Sequence, residues 1–275
     1  MGIAERIIDG LKAEGIDAES VEIVKNGVPC KGIRIINSDS TVCPIVYYSE
    51  QETVETFLMR VRSIVEKGMP QNSVKLLANS EYVKEHSYLA VQRKSTENIV
   101  KKEYLNLELI MRVMLDLGDQ TGAGSVKITS PLIEQLGVSE NELWGCASEN
   151  TYKEATIRSM AEILGLPTMD EDDRSLFVAS SGQMTGGASA LYFPKIFNQF
   201  CEEHGERECY MLPSSTEEVI VLRGSELFGD GLSMEELVHI VQTINRDQVD
   251  PILQLEPAVY RYSTDSDTVE IVAAL

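Results

Sequence analysis

The chain has 275 residues and a mass of 30.5 kDa, and it is 43% hydrophobic and 25% charged, the composition of a folded protein and not of a disordered one. No apolar run approaches the roughly 18 residues of a membrane helix, and 44 acids against 24 bases give a net charge of −20, which disfavours nucleic-acid phosphates and anionic membranes as partners. The charge is uneven: residues 1–164 carry 24 acids and 18 bases, a net of −6, and residues 165–275 carry 20 acids and 6 bases, a net of −14.

The first residues hold an acid at Glu5 and no apolar core, so no secretory signal is read there, and Arg6 departs from the myristoylation pattern. A helix is predicted from Ile3 to Glu14, with Ile3, Ile7, Ile8 and Leu11 on one face and Gly15 as its left-handed stop. Two extended runs, Ser20–Lys25 and Cys30–Ile36, flank Asn26-Gly27, a pair suited to a tight hairpin. A third strand is predicted over Thr41–Tyr48. Ser49 and Glu52 suggest a capping box for a helix whose buried stripe is Val54, Phe57, Leu58, Val61 and Ile64, closed by Gly68. Met69–Asn72 reads as a loop.

From Tyr104 to Leu115 apolar residues alternate. Leu105, Leu107, Leu109, Met111, Val113 and Leu115 share one face of a strand, and Glu108, Ile110, Arg112 and Met114 lie on the other. Glu108 and Arg112 would also suit a helix, but period two fits better. Gly118–Gly124 turns the chain into a strand over Ser125–Thr129. Ser130-Pro131 opens a short helix stopped by Gly137, Ser139 with Glu142 caps the next, and another helix is predicted over Thr156–Leu164.

Leu166-Pro167-Thr168 and the acids Asp170–Asp173 read as a linker. Beyond it come a strand (Ser175–Ser180), a helix (Ala188–Glu203, its main part started by Pro194) and strands Glu208–Leu212 and Glu217–Leu222. A helix capped by Ser233 and Glu236 follows, with Leu237, Ile240, Val241 and Ile244 on its face, then a hairpin, Ala258–Ser263 and Thr268–Val272. The expected class is α+β with mainly antiparallel sheets, in two parts: residues 1–165, and an acidic unit at 166–275 ordered β-α-β-β-α-β-β.

No mechanistic motif is complete. The loop Ser180–Gly187 joins a strand to a helix, where backbone amides can hold phosphate, but it lacks Gly-Lys-Ser/Thr and sits in the more acidic part. Cys201 and His204, at i,i+3, are a candidate thiolate–imidazole pair with no second ligand pair at zinc spacing. Ser214 and Ser215 lie outside any G-x-S-x-G motif. The five cysteines, Cys30, Cys43, Cys146, Cys201 and Cys209, form no C-x-x-C pair, which fits a reducing cytoplasm and no disulfide framework. No cofactor and no metal site are predicted.

Several stretches together carry a family likeness: Tyr104–Leu109, Gly124–Thr129, Glu140–Trp144 with Glu149-Asn150-Thr151, Gly187-Ala188 leading to Leu191–Pro194, Tyr210–Ile220, and Ile244-Asn245, with the Asn26-Gly27 hairpin. Collectively they resemble the uncharacterised bacterial domain-of-unknown-function family five-six-eight-eight, over nearly the whole chain. The resemblance implies a cytosolic protein of gut anaerobes, encoded near mobile elements, and brings no activity, substrate or cofactor. Where that family tends to carry His after the Pro-Ser-Ser turn, this chain has Glu217.

The resulting expectation is a cytoplasmic binding protein, monomeric or homodimeric, without catalytic machinery. Its acidic C-terminal face, marked by Glu217, Glu218, Glu235 and Glu236 with Ser214 and Ser215, would meet a basic protein partner, although the same charge also suits solubility alone. Two alternatives stand beside it: a nucleic-acid mimic that inhibits a defence system, and a hydrolase with its site near Ser214, Ser215 and His204.

Overall fold

In the computed structural model the described residues are 2–36, 43, 45–49, 52–66, 75–116, 123–166, 176–181, 186–213, 215–229 and 233–275. Gly68, the loop at Met69–Asn72, the turn at 118–122, the acidic run 170–173 and the first part of the strand expected from Thr41 lie outside them. The protein is α+β, built from helices and antiparallel sheets. Among the described residues no helix is long and apolar enough to cross a membrane.

Helix α1 (Ile3–Ala13) and helix α2 (Val54–Glu66) pack on an antiparallel sheet of β1 (Ala18–Lys25), β2 (Val28–Ile35) and β3 (Ile45–Tyr47). Ile7, Leu11, Ile33, Ile35, Val46, Phe57 and Val61 form its core. Asn26 and Gly27 take φ of 50° and 77°, the left-handed pair that a two-residue hairpin requires. The capping of α2 differs from the expected box: the Thr53 hydroxyl accepts the Thr56 N–H at 3.2 Å, so the helix starts after Ser49 and Glu52.

The next layer follows helix α3 (Ser80–His86) and holds β4 (Ser87–Arg93), β5 (Lys101–Tyr104), β6 (Leu107–Asp116) and β7 (Ala123–Lys127). Strand β6 pairs with β4 on one edge. On the other edge it pairs first with β5 and then with β7. The strand expected over 104–115 is therefore two, joined by a turn at Leu105-Asn106 with Leu105 at φ 55°. Asn106 anchors that turn by accepting the Tyr260 hydroxyl. Leu107, Leu109, Met111, Val113 and Leu115 do share a buried face.

Helix α4 (Ser130–Leu136) is capped one residue earlier than expected, by Thr129, whose hydroxyl accepts the Leu132 N–H, and ends at Gly137 with φ 65°. Helix α5 (Glu140–Glu154) is capped by Ser139. The helix expected over 156–164 is instead strand β8 (Ala155–Ser159) and a single turn, α6 (Met160–Ile163). Pairing decides this: Ile157 lies opposite Ala179 of β9 (Phe177–Ser181), and alternate β8 residues are half-buried.

A 3-10 turn (Gly187–Tyr192) leads into α7 (Pro194–His204), β10 (Glu208–Leu212), β11 (Val219–Arg223), α8 (Gly224–Gly229), α9 (Met234–Gln248), β12 (Ala258–Ser263) and β13 (Thr268–Ala274). The six-stranded antiparallel sheet has the order β13-β12-β10-β11-β9-β8. Its Cys209, Met211, Tyr260 and Tyr262 face a core shared with Phe197 of α7, and its Tyr210, Leu212 and Val259 face Leu237, Val238 and Val241 of α9. That α9 face is rotated from the predicted one, leaving Ile240 and Ile244 exposed. The larger core runs continuously from Leu77 to Tyr262, across the division that the sequence suggests at 165/166, and β8 completes the sheet made by later strands.

Candidate functional site

Strand β6 alternates core residues with Glu108, Ile110 and Arg112, so the latter emerge on the opposite face of the sheet. On β4 the same face carries Tyr88, Ala90 and Gln92. Tyr88 pairs across with Arg112, and Arg112 in turn with Lys127 of β7. These three therefore stand abreast on one face. A cleft of about 220 Å³ opens over them. It is also lined by Lys25 and Asn26 from the β1–β2 hairpin and by Gly186, Thr216, Glu217, Ile252 and Leu253 from the loops of the later chain.

The hairpin is fastened there by Asn26. Its amide donates to the Gln254 carbonyl at 2.7 Å, and its side-chain oxygen accepts the Arg93 N–H at 2.8 Å. At the other side Gly186, at φ 76°, lies so close to the sheet that a Cβ would stand 3.1 Å from that of Ala90.

Three cations meet in this space. Lys127 pairs with Glu97. Burial pushes its ammonium below the usual lysine value; Glu97 opposes that shift, while the charges of Arg112 and Lys25 add to it. Arg112 donates twice to the Ser125 hydroxyl, at 3.0 and 2.7 Å. Lys25 lies 4.7 Å over the Tyr47 ring. Burial raises the Tyr47 phenol and the Arg112 charge lowers it. Among the described residues neither Lys25 nor Arg112 has a carboxylate partner.

Glu217 borders the same cleft. Its carboxylate accepts the Gly186 N–H at 3.3 Å and the Thr216 hydroxyl at 3.0 Å. It precedes β11, which starts at Val219, two residues later than expected. Ser215 is buried and its hydroxyl accepts the Glu217 N–H at 3.1 Å; Ser214 lies outside the described residues. Glu218 and Glu235 face solvent, and Glu236 closes the capping box of α9 with Ser233. The suggested pairing of Cys201 with His204 does not form. Cys201 is buried beside Cys209, whose thiol is pushed upward by that contact and by burial, and the His204 ring rests on Phe177 and Phe200. Among the described residues no three His, Cys, Asp or Glu are placed to hold a metal ion.

A model described as a family of unknown function, DUF5688, matches residues 2–264. The chain belongs to that family. No curated protein and no solved structure matches it. For this DUF5688 member, the cleft residues Lys25, Tyr88, Arg112 and Lys127 carry no local motif, being spread over four strands. The signals in the sequence are an arginine on the face of β6 opposite its apolar one and the Gly186-Gly187 pair. The acidity of the neighbouring chain weighs against a charged ligand at those glycines only until the fold brings cations from residues 25, 112 and 127 beside them.

Proposed function

We propose that this protein works by binding, and that the cleft between the β1–β2 hairpin, the β4–β6–β7 face and the Gly186 and Glu217 loops holds a small anionic ligand. The observation that carries the reading is the convergence there of Lys25 and Arg112 without carboxylate partners among the described residues. A guanidinium held by a neutral hydroxyl keeps its charge and further N–H donors for a carboxylate or phosphate. Titration calorimetry with a panel of small phosphates and carboxylates, amine-bearing members included, tests it. At least one member is expected to bind, and Arg112→Gln to weaken that binding about tenfold or more. No binding across the panel, or binding indifferent to Arg112→Gln, overturns the reading.

A second reading concerns the outer surface of residues 165–275, and a charge observation favours it. Arg223, Arg246 and Arg261 each sit against an acid of the same segment, Glu226, Asp247 and Glu208 with Glu270, which leaves exposed Glu218 and Glu235 uncompensated by them. That surface is proposed to meet a basic protein partner, and a nucleic-acid mimic would use the same charge. Binding of a lysine-rich peptide that falls steeply as salt rises supports it; salt-independent binding contradicts it. The hydrolase alternative has less support, because the Ser215 hydroxyl is buried and occupied as the acceptor of its own turn.

A further inference from the structure

We infer that the ligand of the cleft is a small zwitterion, its anionic end against Lys25, Arg112 and Lys127 and an ammonium end against Glu217. This rests on the anion-binding reading above and adds the second pole.

The cavity has two signs of charge that do not neutralise each other. Among the described residues no lysine, arginine or histidine stands within ion-pair distance of Glu217, although three cations line the same space. Lys127 is paired with Glu97, but the other charges are held by neutral groups: Arg112 by the Ser125 hydroxyl, Glu217 by the Gly186 amide and the Thr216 hydroxyl. Opposite charges kept apart in a partly desolvated cavity leave both poles available to a third body. A purely anionic ligand gains at the cations and is repelled at Glu217, and a purely cationic one meets the reverse. A molecule carrying both charges gains at each end. Each Glu217 oxygen has acceptor capacity left after its one hydrogen bond.

Size and lining narrow the class. A space of about 220 Å³ equals roughly seven water volumes and lies below the roughly 300–1,000 Å³ of pockets for drug-sized ligands, which suits a molecule of amino-acid size. Tyr88, Ala90 and Ile110 give an apolar floor for the few carbons between the two ends.

Two matched pairs of probes test this by calorimetry on the full chain: γ-aminobutyrate against butyrate, and O-phosphoethanolamine against ethyl phosphate. In at least one pair the amine-bearing probe is expected to bind about tenfold tighter. Glu217→Gln should bring that ratio to within about twofold, and Arg112→Gln should weaken both members. If the amine-free probe binds as tightly in both pairs, the zwitterion inference fails and anion binding stands. If none of the four binds, both fail. The wild-type ratios decide the matter even where a variant folds poorly.

Discussion

Asn26, itself buried, combines two demands that few side chains meet together: a left-handed φ of 50° and two part-buried hydrogen bonds to a distant strand and loop. Glycine satisfies the first and loses the second. Asn26→Gly is therefore expected to lower urea stability by about 1–3 kcal/mol, the range for orphaned buried partners, and a loss of a few tenths or less would show that the turn alone matters. Glu108 is a second buried polar anchor, accepting from Lys101 at 2.8 Å, Ser95 at 3.0 Å and Gln92 at 3.2 Å. Burial by itself would raise its carboxyl, but the bonds from Lys101, Ser95 and Gln92 prevail and hold it below the usual 4.5. A carboxyl depressed on folding stabilises above its unfolded value and loses that contribution as pH falls through the folded one. Glu108→Gln should cost about 1–3 kcal/mol at neutral pH, with the gap to wild type closing as pH drops below 4.5. A gap unchanged down to about pH 2 would contradict this.

At the level of elements, the glycines test how tightly the cleft wall is built. A Cβ on Gly187 would fall 2.1 Å from the Glu217 carbonyl oxygen, whereas Gly145, on the exposed side of α5, has nothing within 4 Å. Thermal melting should show Gly187→Ala destabilised by about 1–3 kcal/mol or more and Gly145→Ala stabilised by about 0.5–1 kcal/mol; similar effects from the two would refute the packing described. The rotated face of α9 has its own test. Leu237→Ala should cost about 2–5 kcal/mol, and Ile240→Ala, 41% exposed in its parent residue, within about 0.5 kcal/mol. Equal losses would restore the predicted face. Elements with strong punctuation were readable: α1 by Gly15, the Asn26-Gly27 hairpin, α9 by its Ser233–Glu236 box. Those that failed depended on tertiary partners. Leu105 carries no turn signal, and β8 is a strand because β9 lies beside it.

Over the whole molecule, charge is sorted by the fold in a way that composition hides. In residues 165–275 Arg223, Arg246 and Arg261 pair with acids of their own segment, while Lys25, Arg112 and Lys127, drawn from the less acidic part, line one cleft. Linear order placed the cleft's glycines in acidic surroundings, and only the strand register that sets Tyr88, Arg112 and Lys127 abreast reveals the opposite local sign. The same register makes Lys127 a reporter. A bound anion favours the charged ammonium, so its depressed titration should move upward on ligand binding. The most direct measurement is the arginine Nε–Hε spectrum of the full chain, recorded with ethyl phosphate and then O-phosphoethanolamine. A saturable shift of the Arg112 signal is expected with at least one of them; an Arg112 signal that stays fixed with both would contradict ligand binding at this cleft.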